Sequence, residues 1–418
     1  MAARRSAQSI RRAIGFALIP IAGIASPLLA LPAISSGYGA TGWAAVAVGQ
    51  SLGAGGAVLV ELGWALSGPQ RVARMGKTAA YRVLRLSLAT KLIVFPPVAA
   101  LAMLVATLVA PSYSQVSAVV ALGAVAMGFS ATWFLIGRRQ PWAVVATDGA
   151  VRVVCVCIAA LAIMGGGPLI LYPVVGLIIP SILAPLLAVG VAARGTSGRS
   201  PRWSLRRLLG VVRSQSKAVG ARGVSALYIA LPITLVTLVA PQATAAFAAG
   251  ERLLRTALSG LSPWSNALLG WVGSASVRAE RLSRATLSIW LCLGFGLVAA
   301  AGFGALLPWV AEFVFAGEVP VDGFLPWAFA LTLLIVLVSR ATGSITLVAL
   351  GRIDVILASA IAGAVVGVPS ILGGAATAGA LGGALGEAIA EFCVLTVQAV
   401  MIFRIFGTMR KEGARDGL

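Results

Sequence analysis

The sequence predicts an all-α integral membrane protein: about twelve transmembrane helices in two six-helix lobes around a central cavity. Three observations predict it. Of 418 residues, 59% are hydrophobic and only 11% charged, with a mean hydropathy of +0.99, where a soluble domain carries about 25% charged residues. The apolar residues gather into twelve runs of the length a bilayer requires, about 20 residues each. The basic residues fall into alternate connections between those runs.

The runs lie at 13–34, 40–66, 90–110, 116–137, 141–164, 168–193, 219–240, 243–272, 286–307, 324–350, 354–374 and 381–403. The first follows Arg4, Arg5, Arg11 and Arg12 and continues past Leu31 with no cleavage pattern, so it is read as a retained first helix. It carries Pro20, Pro27 and Pro32, and the seventh run carries Pro232; proline removes a backbone donor and permits a bend. The second run holds Gly49, Gly53, Gly55 and Gly56, small residues that let helices approach closely. The fifth and sixth divide at Gly165-Gly166-Gly167-Pro168, and the eleventh and twelfth in the glycine-rich stretch 373–383.

Charge placement checks this division independently. The connections 35–39, 111–115, 165–167, 241–242, 308–323 and 373–380 contain no Lys or Arg, and their only charges are Glu312, Glu318 and Asp322. The other face holds the N-terminus, 67–89 with Lys91 at its edge, Arg138 and Arg139, 194–217, 273–285, 351–352 and the tail from Arg404, together 27 of the 32 basic residues. Under the positive-inside rule this places both termini in the cytoplasm, in a multi-pass protein of the cell inner membrane. The net charge of +20 therefore belongs to loops facing anionic lipid, and no nucleic-acid partner is expected. The basic segment 194–218 divides an N-terminal lobe, 1–193, from a C-terminal lobe, 219–403, with a tail at 404–418. Within it, residues 202–213 have the pattern of an interfacial amphipathic helix. The outer-to-inner spans 40–73 and 243–276 correspond, as parallel repeats would.

Apart from Lys91 and Asp354 at span ends, ten charged residues remain inside the spans: Glu61, Asp148, Arg152, Arg222, Glu251, Arg252, Arg255, Arg340, Glu387 and Glu391. Each costs roughly 2.5–3.5 kcal/mol on insertion scales, so a shared polar interior is expected. Asp148 with Arg152, and Glu251 with Arg255, stand four apart with the acid first, the favourable order on one helix face. Arg252 falls on an adjoining face. Glu387 and Glu391 also share a face, which is unfavourable unless a cation, a proton or an arginine from another helix intervenes. The sequence has no histidine, and Cys155, Cys157, Cys292 and Cys393 all lie in apolar runs, so no metal site and no cofactor are expected.

Four short motifs resemble the O-antigen-type polysaccharide and oligosaccharide translocases of the multidrug/oligosaccharidyl-lipid/polysaccharide flippase superfamily. They are Ser36-Gly37-Tyr38-Gly39 between the first two helices, Glu61-Leu62-Gly63 near the end of the second, Gly250-Glu251-Arg252-Leu253-Leu254-Arg255 followed by Leu261-Ser262-Pro263 in the eighth, and Ala349-Leu350-Gly351-Arg352-Ile353 between the tenth and eleventh. The resemblance implies alternating access that moves an undecaprenyl-diphosphate-linked oligosaccharide outward for cell-surface polysaccharide biosynthesis, without enzymatic activity. Arginine offers a planar fork matched to phosphate oxygens. Arg252, Arg255, Arg340, Arg152 and Arg222, with Glu251, are accordingly the expected substrate-binding residues, and Glu387, Glu391 and Asp148 the expected ion-coupling residues. The expected partners are the lipid bilayer, the lipid-linked oligosaccharide and polysaccharide assembly proteins, and the protein is expected to be a monomer. Two other classes compete. One is a cation-coupled multidrug antiporter on the same fold, which favours an aromatic, acidic site. The other is a membrane glycan polymerase or glycosyltransferase, which needs a larger outer segment than 308–323.

Overall fold

The computed structural model describes residues 15, 18, 19, 23, 26–194, 196, 203–215 and 230–415. Among these there is no strand, and the polypeptide collects into two compact units. The first comprises Met1–Thr234 with Phe313–Val319, and the second Leu235–Glu312 with Pro320–Leu418. Eight helices among the described residues are long and apolar enough to cross a membrane, two of them far longer than one crossing. The protein is therefore multi-pass.

In the first unit, α1 (Leu31–Glu61) is two helical segments joined at Gly39, whose φ of +61° and ψ of −164° are essentially open only to glycine. The corner is pinned from its neighbours. The Tyr38 hydroxyl donates to the Gly167 carbonyl at 2.9 Å, and the Tyr38 ring meets Tyr113 edge-on at 6.0 Å. α2 (Trp64–Ala73) follows after Leu62 and Gly63, both with positive φ. α3 (Lys77–Val109) leads to α4 (Ser114–Gly137), which is interrupted by a 3-10 turn at Met127–Phe129 and an extended Ser130. α5 (Pro141–Met164) contains a π-helical stretch, Val145–Gly149, and α6 (Tyr172–Ala193) begins with another, Tyr172–Ile178.

The α1 glycines bring it against α4. A Cβ at Gly49 would overlap the Ser117 carbonyl, and one at Gly53 would overlap the Ala124 methyl. Toward the other end of this unit, Trp64 stacks on Trp133 with ring centroids 5.5 Å apart, in a core with Leu62, Val72, Leu84 and Phe134. A further helix, α7 (205–215), packs Val211 and Val212 on that core while Leu205, Arg206, Arg207, Leu209 and Arg213 stay exposed. This is the amphipathic segment anticipated for the linker.

In the second unit, α8 (Pro232–Val239) precedes α9 (Thr244–Gly260) and α10 (Ser262–Gly273), which divide at Leu261 ahead of Pro263. α11 (Arg278–Val314), α12 (Leu325–Leu347) and α13 (Ile353–Arg415) complete it. α12 ends in a π-helical stretch, Ala341–Leu347. α13 has 63 residues, about 95 Å if straight, and folds back at Ala378 and Gly379, whose φ is +57° and ψ −131°. Its two limbs close on small residues: a Cβ at Gly374 would overlap the Gly382 carbonyl, and one at Gly386 the Ser370 carbonyl. The expected division between the eleventh and twelfth helices is this fold-back.

Basic loop residues double as helix caps. Arg138 donates to the Met75 carbonyl at 2.9 Å beyond α2, while Arg281 donates to Ala275 at 2.9 Å and Arg284 to Trp271 at 2.8 Å around the end of α10. The same device closes corresponding helices in both units.

Replacing Gly53 by valine is expected to destabilise the protein by more than the roughly 1–3 kcal/mol of ordinary overpacking, since backbone and Cβ atoms leave no room there. Gly270→Ala, where the added methyl meets nothing within 4 Å, is expected to be silent. Melting of the detergent-solubilised variants checks both.

Candidate functional site

Six of the nine expected site residues lie in the second unit. Glu251, Arg252 and Arg255 occupy α9, Arg340 occupies α12, and Glu387 and Glu391 occupy α13. Each element has a local reason to deliver its charge. α9 is amphipathic, burying Phe247, Ala248, Leu254 and Leu258, and Gly250 admits the Phe329 ring of α12 at the turn that carries Glu251. α13 reaches α9 after its fold-back, which sets Glu387 beside Arg255 across 132 residues of sequence.

At the centre is a carboxylate–guanidinium–carboxylate triad. Arg255 Nε donates to Glu251 Oε1 at 2.7 Å, and Arg255 Nη2 donates to Glu387 Oε1 at 2.7 Å. The Glu251 and Glu387 side chains are 5% and 2% exposed, whereas Arg255 retains 29%. Such charge-assisted bonds are short and strong, and their geometry holds the guanidinium plane in place. Two of the five guanidinium N–H groups are engaged in these bonds. The second oxygen of each carboxylate, Glu251 Oε2 and Glu387 Oε2, is buried with no hydrogen-bond partner. Glu391 lies within electrostatic reach of both Arg255 and Glu387.

Arg340 sits where α12 passes into its π-helical stretch, a local distortion frequent at functional sites. Its Nη1 donates 3.0 Å to the Leu258 carbonyl in the last turn of α9, a group that lacks an intrahelical partner and carries the negative end of the helix dipole. Leu258 stands three residues beyond Arg255 on α9, so this bond sets Arg340 beside the turn that carries Arg255. Next to them, buried Gln398 accepts from Thr342 Oγ1 at 2.6 Å and Ser339 Oγ at 3.2 Å and donates to Ser359 at 3.2 Å, fastening α12 to α13.

Asp148 and Arg152 lie in the first unit. Arg152 Nε donates to Asp148 Oδ1 at 3.1 Å, with the acid inside the π-helical stretch of α5. Arg222 lies outside the described residues. Sequence reasoning missed Lys91, counted with the neighbouring loop. It is completely buried on α3, donates to the Ser130 carbonyl at 3.0 Å and stands within electrostatic reach of Glu61. The break in α4 frees that carbonyl, and nothing at positions 128–131 announces it beyond one glycine.

No family model matches the sequence, and no curated protein does. Solved structures do. The fold is similar to the lipid II flippase MurJ in an inward closed conformation, with TM-score 0.64 and 14% identity over 94% of this chain and 87% of that one. It is similar to an inward-facing multidrug resistance MATE family transporter of the MOP superfamily, with TM-score 0.59 and 14% identity over 96% and 99% of the two chains. MATE in complex with MaL6 gives TM-score 0.57 and 16% identity over 96% of each. The chain thus has the all-helical, two-lobed fold of multidrug/oligosaccharidyl-lipid/polysaccharide superfamily transporters. Among structures of that fold it resembles both a lipid flippase and drug transporters.

Arg255→Ala leaves two buried carboxylates facing each other without a counter-charge, and is expected to destabilise the protein by about 3–5 kcal/mol. Adding Glu251→Gln and Glu387→Gln to that variant is expected to restore most of the loss, read as recovery of the melting temperature.

Proposed function

We propose that the chain is a flippase that moves an undecaprenyl-diphosphate-linked oligosaccharide across the cytoplasmic membrane by alternating access, with both termini cytoplasmic, acting as a monomer and without enzymatic chemistry. The observation that carries this reading is the bond of Arg340 to the Leu258 carbonyl, which sets this α12 arginine against the turn of α9 that carries Arg255. Two like charges brought together in an apolar unit repel, and an anion with several oxygens between them converts that repulsion into binding. The triad supports the reading further, because a guanidinium already oriented by Glu251 and Glu387 loses little freedom when it meets a phosphate. Arg252 on the next face of α9 would extend the grip, and Arg152 and Arg222 would meet the anion at another stage of the cycle. Polysaccharide assembly proteins would supply the substrate and receive it.

The carboxylates favour a second reading, a cation-coupled multidrug antiporter, since Glu251 and Glu387 meet at one arginine and Glu391 lies within their electrostatic reach. Against it stands Arg340, a cation that an organic cation would have to approach.

Deleting the gene is expected to accumulate a saccharide-carrying lipid diphosphate on the cytoplasmic face, and Arg340→Ala is expected to restore export at a tenth of the wild-type rate or less, about 1.4 kcal/mol or more of lost stabilisation. Mass spectrometry of extracted carrier lipid reads both. An unchanged lipid pool together with altered drug tolerance would select the antiporter.

A further inference from the structure

The first unit carries a groove of about 460 Å³ between α3, α4 and α6. Leu88, Leu92 and Phe95 line it from α3, Phe129 from α4, and Ile182 and Leu186 from α6. Two departures from regular helix border it. Phe129 closes the 3-10 turn of α4, and Ile178, also in the lining, closes the π-helical stretch of α6. Where helices leave their regular course, side-chain ridges and grooves interlock poorly, and the space between them deprives its lining of dispersion contacts. The wall is hydrocarbon throughout, because Ser181, the polar residue of the lining, keeps its hydroxyl buried and without a hydrogen-bond partner. The groove opens outward: Leu92, Ile182 and Leu186 are 61%, 54% and 60% exposed. It opens onto lipid, since α3 has the least buried apolar stretch of the eight described helices able to cross a membrane, at 17%.

We propose that this groove binds one acyl chain of an anionic phospholipid whose phosphate meets Arg85, and that the bound lipid stabilises the first unit across the breaks in α4 and α6. Three observations select this occupant. A site for a drug-sized molecule carries a few well-placed polar groups, and this wall offers none. Arg85 is exposed on α3 and stands seven residues before Leu92, two turns away on the same face. It lies toward the basic connection 67–89, where a guanidinium near the membrane surface attracts a lipid phosphate. Depth then decides between chains. Arg85 to Phe95 is ten residues, about 15 Å along a helix, which equals half of a hydrocarbon core of about 30 Å. A groove one leaflet deep suits an acyl chain, and the longer undecaprenyl chain would outrun it. The lipid is a resident of one leaflet and not the cargo.

Native mass spectrometry of the full chain, released from detergent containing equal phosphatidylglycerol and phosphatidylcholine, tests the binding. Wild type is expected to retain phosphatidylglycerol in preference, and Arg85→Gln to lower that preference by about fivefold, the contribution of one arginine near the membrane surface. Leu92→Trp fills the groove from an exposed position and is expected to lose the retained lipid. Leu186→Trp does the same from the opposite wall, so the test survives if one variant folds poorly. Melting reads the stabilising role: added phosphatidylglycerol is expected to raise the Tm of wild type and to leave that of the filled variants unchanged. An unchanged preference in Arg85→Gln, or wild-type retention in the folded tryptophan variants, overturns the proposed site. An equal rise of Tm in wild type and filled variants overturns the stabilising role. Displacement of phosphatidylglycerol by undecaprenyl phosphate at equal concentration assigns the groove to the carrier chain and overturns the phospholipid as its occupant.

Discussion

Charge neutrality inside hydrocarbon is the constraint on which the second unit depends. Every ion taken from water into this medium loses several kcal/mol of solvation, and mutual attraction repays the loss only when the geometry is good and the remaining lone pairs are satisfied. The contacts of Arg255 with Glu251 and Glu387 meet the first condition and fail the second. The architecture around the cluster holds it in place. The fold-back at Gly379 returns α13 to α9, and the clasp of Gln398 on Ser339, Thr342 and Ser359 fixes α12 against α13.

Glycine supplies the close approaches that such a unit requires. Helices in lipid gain nothing from hiding apolar surface, since the tails are as apolar as leucine, so contact must come from proximity. Gly374, Gly382 and Gly386 bring the limbs of α13 nearly backbone to backbone, and Gly49 and Gly53 do the same for α1 and α4. Close backbones leave little room for side chains to adjust. Movement in such a protein therefore has to be concentrated at discontinuities, and the described helices contain several: the division at Leu62 and Gly63, the one at Leu261, and the π-helical stretches of α5, α6 and α12.

Much of this was legible in the sequence where the cause is local. The alternation of basic connections reports a bilayer directly, and the turn at Gly39 and the fold-back at Gly379 fall in stretches that broke the apolar runs. The pairs Asp148–Arg152 and Glu251–Arg255 form as their spacing predicts, because four residues along a helix fix the geometry. What was not legible depends on tertiary return. For Glu387 and Glu391 the sequence left a cation, a proton or an arginine from another helix as alternatives, and only the packing of α13 on α9 shows that Arg255 meets Glu387. Arg340 read as a cation awaiting a ligand, whereas one of its nitrogens is spent on the Leu258 carbonyl, an acceptor freed by a helix end whose position no pattern marked. Lys91 was lost for a different reason: it stands at the edge of a basic loop, and hydropathy averages it into its neighbours.

Lys91 shows a second way in which this molecule places a charge in its membrane-embedded part. Its amine is wholly enclosed, donates to the Ser130 carbonyl and has Glu61 nearby. A ligand has no way to reach it without unmaking the α3–α4 contact, so its work is to stabilise the break in α4. The cluster at Arg255 has a different profile, with both carboxylates buried and the arginine side chain 29% exposed. A fully enclosed pair such as Lys91 with its partners has no equivalent route to the outside.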